Sequence, residues 1–268
     1  MTGHDRQAGP PAPSAPDGAP LARVLASASI EALLDDPARK QAFVTPMFDV
    51  IAPRYDVFTR RFSFGMDAVW KRALVDALAP LLPTTRRALD VACGTGDLAA
   101  AIGAGAPAAR VVGVDASTAM IAAAAERHRG DGPRFVVGDL MALPCAVASV
   151  DLVTAGYAVR NAPTAVGALA ELARVVRPGG WIALLDFYRP PAPLWRALFL
   201  GYLRVAGDLV GWWWHRRPVV YGYIARSIAR FMTADECSAA LDAAGFEVRQ
   251  VRRFLWGGIA LHLAQRRR

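Results

Sequence analysis

The stretch Arg87 to Ala99, Arg-Ala-Leu-Asp-Val-Ala-Cys-Gly-Thr-Gly-Asp-Leu-Ala, limits the possible folds of this chain more than any other. Its apolar run from Ala88 to Val91 predicts a buried strand, followed by a turn of small residues and then a helix. Two glycines two apart, Gly94 and Gly96, let the backbone turn sharply and let a ligand approach the main chain where a Cβ would obstruct it. The N–H groups that open the following helix lack intrahelical partners and point at whatever occupies the turn. Alone, such a turn serves many nucleotide-like ligands. Two acids sharpen it. Asp90 precedes the turn, and Asp115 ends the next apolar strand, Arg110 to Val114. A carboxylate about 20 residues beyond the glycines is placed to accept hydrogen bonds from two ribose hydroxyls. The spacing points to an adenosine-containing ligand held around Asp90, Cys93, Gly94, Thr95, Gly96, Asp115 and Ala116.

Beyond this motif, strands and helices alternate at the spacing of βαβ units, which predicts an α/β fold: a Rossmann-like, doubly wound, mostly parallel sheet with helices on both faces. Ser117 to Arg129 reads as a helix capped by Ser117, and Arg134 to Val137 as a strand closed by Gly138-Asp139-Leu140. Val150 to Ala155 is the next strand. Leu169 to Val176 is a helix stopped by the turn Arg177-Pro178-Gly179-Gly180, and Trp181 to Phe187 is a further strand. Thr233-Ala234-Asp235-Glu236 is a capping box for a helix ending at Ala244 and Gly245. Phe246 to Val251 and Ile259 to Leu263 read as closing strands, with Arg266 to Arg268 as an exposed tail. Ligands of open α/β sheets bind outside the carboxyl ends of the strands, where Asp90, Asp115 and Asp139 converge. Asp139, with Leu140 beside it, is available to an adenine amino group.

The flanks differ in texture. Residues 1–20, with Pro10-Pro11-Ala12-Pro13, bury too little to offset chain entropy and read as a disordered tail. Residues 21–83 have helical periodicity, broken by Pro46, Pro53 and Pro80 into short helices. Their aromatics and carboxylates, including Phe48, Tyr55, Asp56, Asp67 and Trp70, suit a lid over an aromatic ligand. Residues 84–268 form the main domain, with a helical aromatic and basic insertion at about 190–230. Within it, residues 194–217 end in Trp212-Trp213-Trp214-His215-Arg216-Arg217, a pattern suited to peripheral membrane contact and to the wall of a cleft for a lipid-like substrate. Arg196, Arg204 and Asp208 argue against a bilayer span.

The net charge of +8 lies wholly in residues 189–268, which hold 13 basic and 5 acidic side chains against 18 of each before them. That excess is compatible with anionic head groups or with a solvated arginine-rich surface; nucleic acid has only the charge in its favour, with no motif, and is not expected. Cys93, Cys145 and Cys237 lack C-x-x-C partners, which speaks for a reducing compartment and against zinc or a disulfide frame. No signal-peptide pattern opens the chain. The expectation is a cytoplasmic protein, peripheral to the inner membrane if it touches lipid at all.

In combination, Asp90 to Asp97, Gly113-Val114-Asp115, Gly138-Asp139, Leu143-Pro144, Arg160-Asn161 and Arg174 to Gly180 resemble the class I S-adenosylmethionine-dependent methyltransferases, and within them the ubiquinone/menaquinone biosynthesis C-methyltransferases. The likeness runs from about Phe48 to His262. It implies a seven-stranded sheet with an antiparallel last strand, and S-adenosylmethionine as cofactor. It places Gly94 and Gly96 against the methionine part, Asp115 on the ribose and Asp139 at the adenine. Departures from the family pattern fall on the substrate side: Phe58-Thr59 for Met-Asn, Asp67 for His, Tyr157 for Phe, and Asp186-Phe187-Tyr188 for Glu-Phe-Ser.

Methyl transfer from a sulfonium requires alignment and exclusion of water, with no metal. A ring carbon becomes nucleophilic once a neighbouring hydroxyl loses its proton, which calls for a base or a cation that stabilises phenolate. Arg160 is the candidate cation; Tyr157, Tyr55 and Asp56 are candidates for orientation or proton transfer. The expected acceptor is a prenylated quinol or phenol. Another lipid-like or small aromatic acceptor, such as a phospholipid amine or an O-methylated phenol, is the alternative, and a cofactor-free assembly protein is the non-enzymatic one. Homo-oligomerisation is left open.

Overall fold

The computed structural model describes residues 34–210 and 219–268. The expected tail (1–20), the start of the lid and the Trp212 to Arg217 cluster lie outside the described residues, as does the side chain of Phe58.

The strands are β1 (Arg87–Val91), β2 (Arg110–Asp115), β3 (Arg134–Val137), β4 (Val150–Gly156), β5 (Val176–Phe187), β6 (Phe246–Phe254) and β7 (Ile259–Arg266). They form one sheet of order β3-β2-β1-β4-β5-β7-β6. β7 runs antiparallel to both of its neighbours; the other pairs are parallel. Successive side chains of a strand point to opposite faces, and β5 shows the result. Ala183 and Leu185 pack with Leu74, Leu78 and Ile102 on one face. Ile182 and Leu184 pack with Leu169, Leu172 and Leu241 on the other.

The helices that cover these faces are α1 (Pro37–Ile51), α2 (Tyr55–Phe62), α3 (Met66–Leu78), α4 (Asp97–Gly105), α5 (Thr118–Arg127), α6 (Ala165–Val175), α7 (Pro193–Val210), α8 (Val219–Arg230) and α9 (Ala234–Ala243). α1 crosses the carboxyl end of the sheet, where Phe43, Val44 and Met47 pack on Met120 of α5 and Tyr223 of α8. α7 and α8 pack together through Phe199, Leu203, Ala225 and Ile228. No helix among the described residues is long and apolar enough to cross a membrane.

Ser117 caps α5 and Thr233 forms the anticipated capping box on α9. Four local expectations are corrected. Pro46 does not break its helix: α1 runs through it. The buried Phe43, Val44, Met47 and Ile51 hold the turns on either side against the loss of one backbone hydrogen bond. α6 begins at Ala165, capped by Thr164 whose side chain accepts the N–H of Gly167, because Gly167 and small alanines hide the apolar period there. Arg177 to Gly180 is a bulge inside β5 rather than a turn before it. Val176 pairs with Val150, pairing resumes at Trp181 with Leu152, and Gly179 takes φ +75°. Arg266 belongs to β7, with its guanidinium donating to the Val176 carbonyl at 3.2 Å, so the exposed tail is shorter than expected.

Candidate functional site

Beyond the carboxyl ends of β1, β2 and β4, an open hollow of about 750 Å³, a figure that like those of the cavities below includes space open to solvent, is lined by Gly94, Asp115, Ala116, Asp139, Leu140 and Met120 among others. The turn after β1 is held open by left-handed backbone at Ala92 (φ +51°) and Gly94 (φ +53°). At Ala92 that conformation stores strain, as is common beside ligand sites. A Cβ on Gly94 would point toward the Tyr55 ring, 4.0 Å away across open space, so the glycine leaves the main chain bare to the cavity. Gly94 donates its N–H to Asp115 Oδ2 at 2.9 Å, and Asp115 Oδ1 accepts the N–H of Ser117 at 2.9 Å. Each oxygen keeps a lone pair for a hydroxyl donor. Burial pushes the Asp115 carboxyl above the usual carboxylate range, against the two backbone donors. Asp139 accepts from Met141 N at 2.8 Å and from the Gln41 amide at 2.6 Å. Gly94, Asp115 and Asp139, the three residues expected to meet a nucleoside, therefore face one hollow, between the apolar walls of Val44, Met120 and Leu140.

The remaining motif residues stand behind this surface. Asp90 is 1% exposed, with Oδ1 accepting from the Thr154 hydroxyl at 2.7 Å and Oδ2 from Ala99 N at 3.0 Å. It ties β1, β4 and the start of α4 together, and burial raises its pKa to about 7. With Cys93 and Thr95 it lines a smaller cavity of about 360 Å³ under the turn. Gly96 (φ +86°) is a packing glycine: an added Cβ would come within 2.7 Å of the Phe135 ring.

A second cavity, of about 700 Å³, shares Phe48, Tyr55, Tyr157 and Asn161 with the first. Tyr157 sits just past β4 in left-handed backbone (φ +59°), an uncommon conformation for a bulky residue. Its N–H donates to Leu185 O at 2.6 Å, and its hydroxyl donates to Asp67 Oδ1 at 2.8 Å. Asp67 Oδ2 lies 2.9 Å from Lys71 Nζ. Burial pushes the Tyr55 phenol up, and burial together with the Asp67 charge pushes that of Tyr157 well up.

Arg160 is also in this wall and is buried. Its N–H donates to Asp186 Oδ2 at 3.0 Å, its Nη1 donates to the Ser227 hydroxyl, and its guanidinium lies over the Phe187 ring. Its Nε lies 3.6 Å from Asp186 Oδ1 and has no hydrogen-bond partner among the described residues; the same holds for Trp70 Nε1 in the same cavity. Burial raises the Asp186 pKa, with Arg160 opposing it. Lys40, which donates to the Arg160 carbonyl at 2.9 Å, is lowered to about 8 by burial and by the Arg160 charge.

The structure thus gathers Arg160, Tyr157 and Tyr55. Asp56 is placed elsewhere: its carboxylate meets Arg127 and accepts the Thr95 hydroxyl at 2.9 Å, which latches α2 to the glycine turn. Sequence reasoning missed Gln41, Lys40 and Lys71, and took Asn161 only as part of a motif with Arg160. Asp67 was noted as an acid of the lid and as a departure on the substrate side, without a role.

A third cavity, of about 920 Å³, shares Phe62, Ser63, Trp70 and Phe187 with the second. It continues between α7 and the α2–α3 turn, along Trp195, Leu198, Phe199 and Tyr202. Phe64 in its wall is 82% exposed. Leu194 on α7 is 76% exposed, as is 75% of Trp256, which packs edge-on against Trp195.

Residues 37–266 match the profile of the ubiE/COQ5 methyltransferase family. A demethylmenaquinone methyltransferase of Thermus thermophilus is 36% identical over 222 residues, spanning 82% of this chain and 100% of that protein. The ubiquinone/menaquinone biosynthesis C-methyltransferase UbiE of Syntrophotalea carbinolica is 37% identical over 221 residues, spanning 80% of this chain and 90% of that one. Among solved structures, magnesium protoporphyrin IX methyltransferase of Synechocystis, with bound S-adenosylhomocysteine, superposes with a TM-score of 0.58 at 18% identity. That likeness, over 85% of this chain and 99% of the other, is one of fold.

Proposed function

Because the chain belongs to the ubiE/COQ5 methyltransferase family, and is thereby an S-adenosylmethionine-dependent methyltransferase, we propose that it C-methylates a prenylated quinol of ubiquinone or menaquinone biosynthesis. The observation that carries this reading is the series of three cavities with shared walls. The first suits a nucleoside, the second a ring, and the third, almost wholly apolar, suits a hydrocarbon tail.

In this reading Gly94, Asp115, Ala116, Asp139 and Leu140 hold the cofactor, which when bound supplies an electrophilic methyl group. Of the lid expected over residues 21–83, the described part, from residue 34, roofs the first cavity with Gln41, Val44, Phe48 and Tyr55. The aromatic walls of Tyr55, Tyr157 and Phe187 align a ring and exclude water. Arg160 brings a buried cation with a spare N–H, and Trp70 a second buried donor; a quinol offers two oxygens to receive them. A phenolate oxygen near Arg160 is stabilised without a metal, and its electron density passes to the ring carbon to be methylated. The exposed Phe64, Leu194 and Trp256 at the apolar end support peripheral membrane contact extending through residues 194–217.

The test is incubation of the purified protein with labelled S-adenosylmethionine and a membrane lipid extract, followed by chromatography of the labelled product. Label in a quinone is expected. Label in a phospholipid, or in a methyl ether of a phenol, would replace this acceptor with the corresponding one.

A further inference from the structure

Tyr157 and Asp67 stand 90 residues apart and meet in a hydrogen bond of 2.8 Å inside the acceptor cavity. Tyr157 also lines the cofactor cavity, so its side chain belongs to the partition between the two. Asp67 is buried; its second oxygen is held by Lys71 at 2.9 Å, and Lys71 is braced in turn by Asp97 at 3.2 Å. The backbone N–H of Asp67 is fixed by the Ser63 hydroxyl at 3.1 Å. The carboxylate is therefore clamped in one orientation, with Oδ1 committed to the tyrosine hydroxyl. That hydroxyl spends its one proton on Asp67 and keeps its lone pairs for a donor arriving from the cavity. An acceptor O–H is such a donor. Arg160, in the same chamber, is a cation and no base, and Asp186, outside the chamber's lining, is held by the Arg160 backbone N–H at 3.0 Å and faces its guanidinium at 3.6 Å.

We propose that the Tyr157–Asp67 pair is the proton acceptor of the reaction, with Asp67 the base and Tyr157 the hydroxyl through which it reaches the substrate. The inference rests on the quinol reading above. The acceptor O–H bond breaks, and its proton passes to Tyr157 Oη while the proton already on Tyr157 passes to Asp67 Oδ1. The electron pair stays on the acceptor oxygen, spreads into the ring and would form the new carbon–carbon bond to the methyl group, whose bond to the cofactor's sulfonium sulfur would break with its electron pair left on sulfur as a neutral thioether. When that carbon loses its hydrogen as a proton, the oxygen regains one. A single proton is left over, on Asp67, to be released as the cavity opens with product.

The test compares wild type, D67N, D67A, Y157F and the D67N/Y157F double variant with a short-prenyl demethylmenaquinol kept reduced, and reads kcat, KM for the quinol and the S-adenosylmethionine Kd by calorimetry. D67N and Y157F should each lose about 100-fold in kcat, the scale of general base catalysis, with Kd and KM unchanged. The double variant should be no slower than the worse single one. Formate should restore turnover to D67A and not to Y157F, a signature that a purely structural role would not give. Variants that keep wild-type kcat, losses that multiply in the double variant, or a loss carried entirely by Kd would overturn the assignment and leave the quinol reading standing. A wild-type protein that transfers no methyl to the quinol while binding cofactor would overturn both.

Discussion

Gly94 gives its backbone N–H to the Asp115 carboxylate at 2.9 Å, so the turn after β1 and the acid ending β2 act as one unit rather than as two motifs. D115A removes the hydroxyl acceptor and leaves that N–H unpaired. A hydrogen bond to a charged group is worth about 1.5–3 kcal/mol, so S-adenosylmethionine should bind about 10- to 100-fold more weakly. Calorimetry of the variant checks this, and unchanged affinity would remove Asp115 from the site.

The two glycines of the turn should fail in different ways. At Gly96 a Cβ meets Phe135 at 2.7 Å and His128 at 2.9 Å in left-handed backbone, so G96A should lose about 1–3 kcal/mol of stability. At Gly94 (φ +53°) the backbone strain is shared but the Cβ meets only Tyr55, at 4.0 Å, so G94A should lose less stability than G96A and fail chiefly in cofactor affinity. Denaturant melts paired with calorimetry on both variants separate the two effects.

Stability should dip near neutral pH. Asp90 titrates at about 7 in the fold against an ordinary 3.8, so between those values the folded state keeps a proton that the unfolded state releases. Stability then falls as pH rises through the window, by up to about 1.4 kcal/mol per unit. Lys40 has the opposite sign. Lowered from 10.5 to about 8, it is neutral in the fold where the unfolded chain is charged, so stability recovers between these values. Urea midpoints across pH should show D90N flattening the fall and K40M flattening the recovery.

Arg160 needs a paired substitution. R160A alone strands the buried Asp186, a change that costs about 3–5 kcal/mol. The double variant R160M/D186N removes both charges and should recover most of that stability while turnover stays lost and cofactor affinity is kept. Recovered turnover would show that the guanidinium serves only to neutralise Asp186.

The apolar chamber can be read through the substrate's tail. Leu198 lines it yet is 59% exposed, so L198E should fold. Losing the burial of one large aliphatic contact, about 1.5–3 kcal/mol, should raise KM about 10-fold or more for a long-prenyl quinol and leave KM for a tail-free naphthoquinol unchanged. Equal effects on both would separate this cavity from the tail.

The frame was legible because its signals are local. Ala88 to Gly96, Asp115, the Ser117 cap and the Thr233–Glu236 box each follow from backbone needs of their own strand or helix. Pro46 and the Arg177 to Gly180 bulge were misread because tertiary burial and sheet pairing overrode the local rule. The substrate side was the least legible. Asp67 and Lys71 stand four apart, a spacing that on a helix carries no sign of burial. Only the packing of α3 on β5 and β7 turns them inward to meet Tyr157. Asp56 shows the converse, a promising acid whose neighbours in space, Arg127 and Thr95, make it a latch.

The middle chamber shares walls with each outer one, and Tyr157 belongs to the boundary on the nucleoside side. On the quinol reading, a nucleoside in the first chamber and a lipid tail in the third need not queue behind each other. Spent nucleoside can be exchanged while the greasy partner stays seated, and a lipid can be swapped without emptying the other berth. Initial-velocity plots should accordingly intersect, with neither order of addition obligatory.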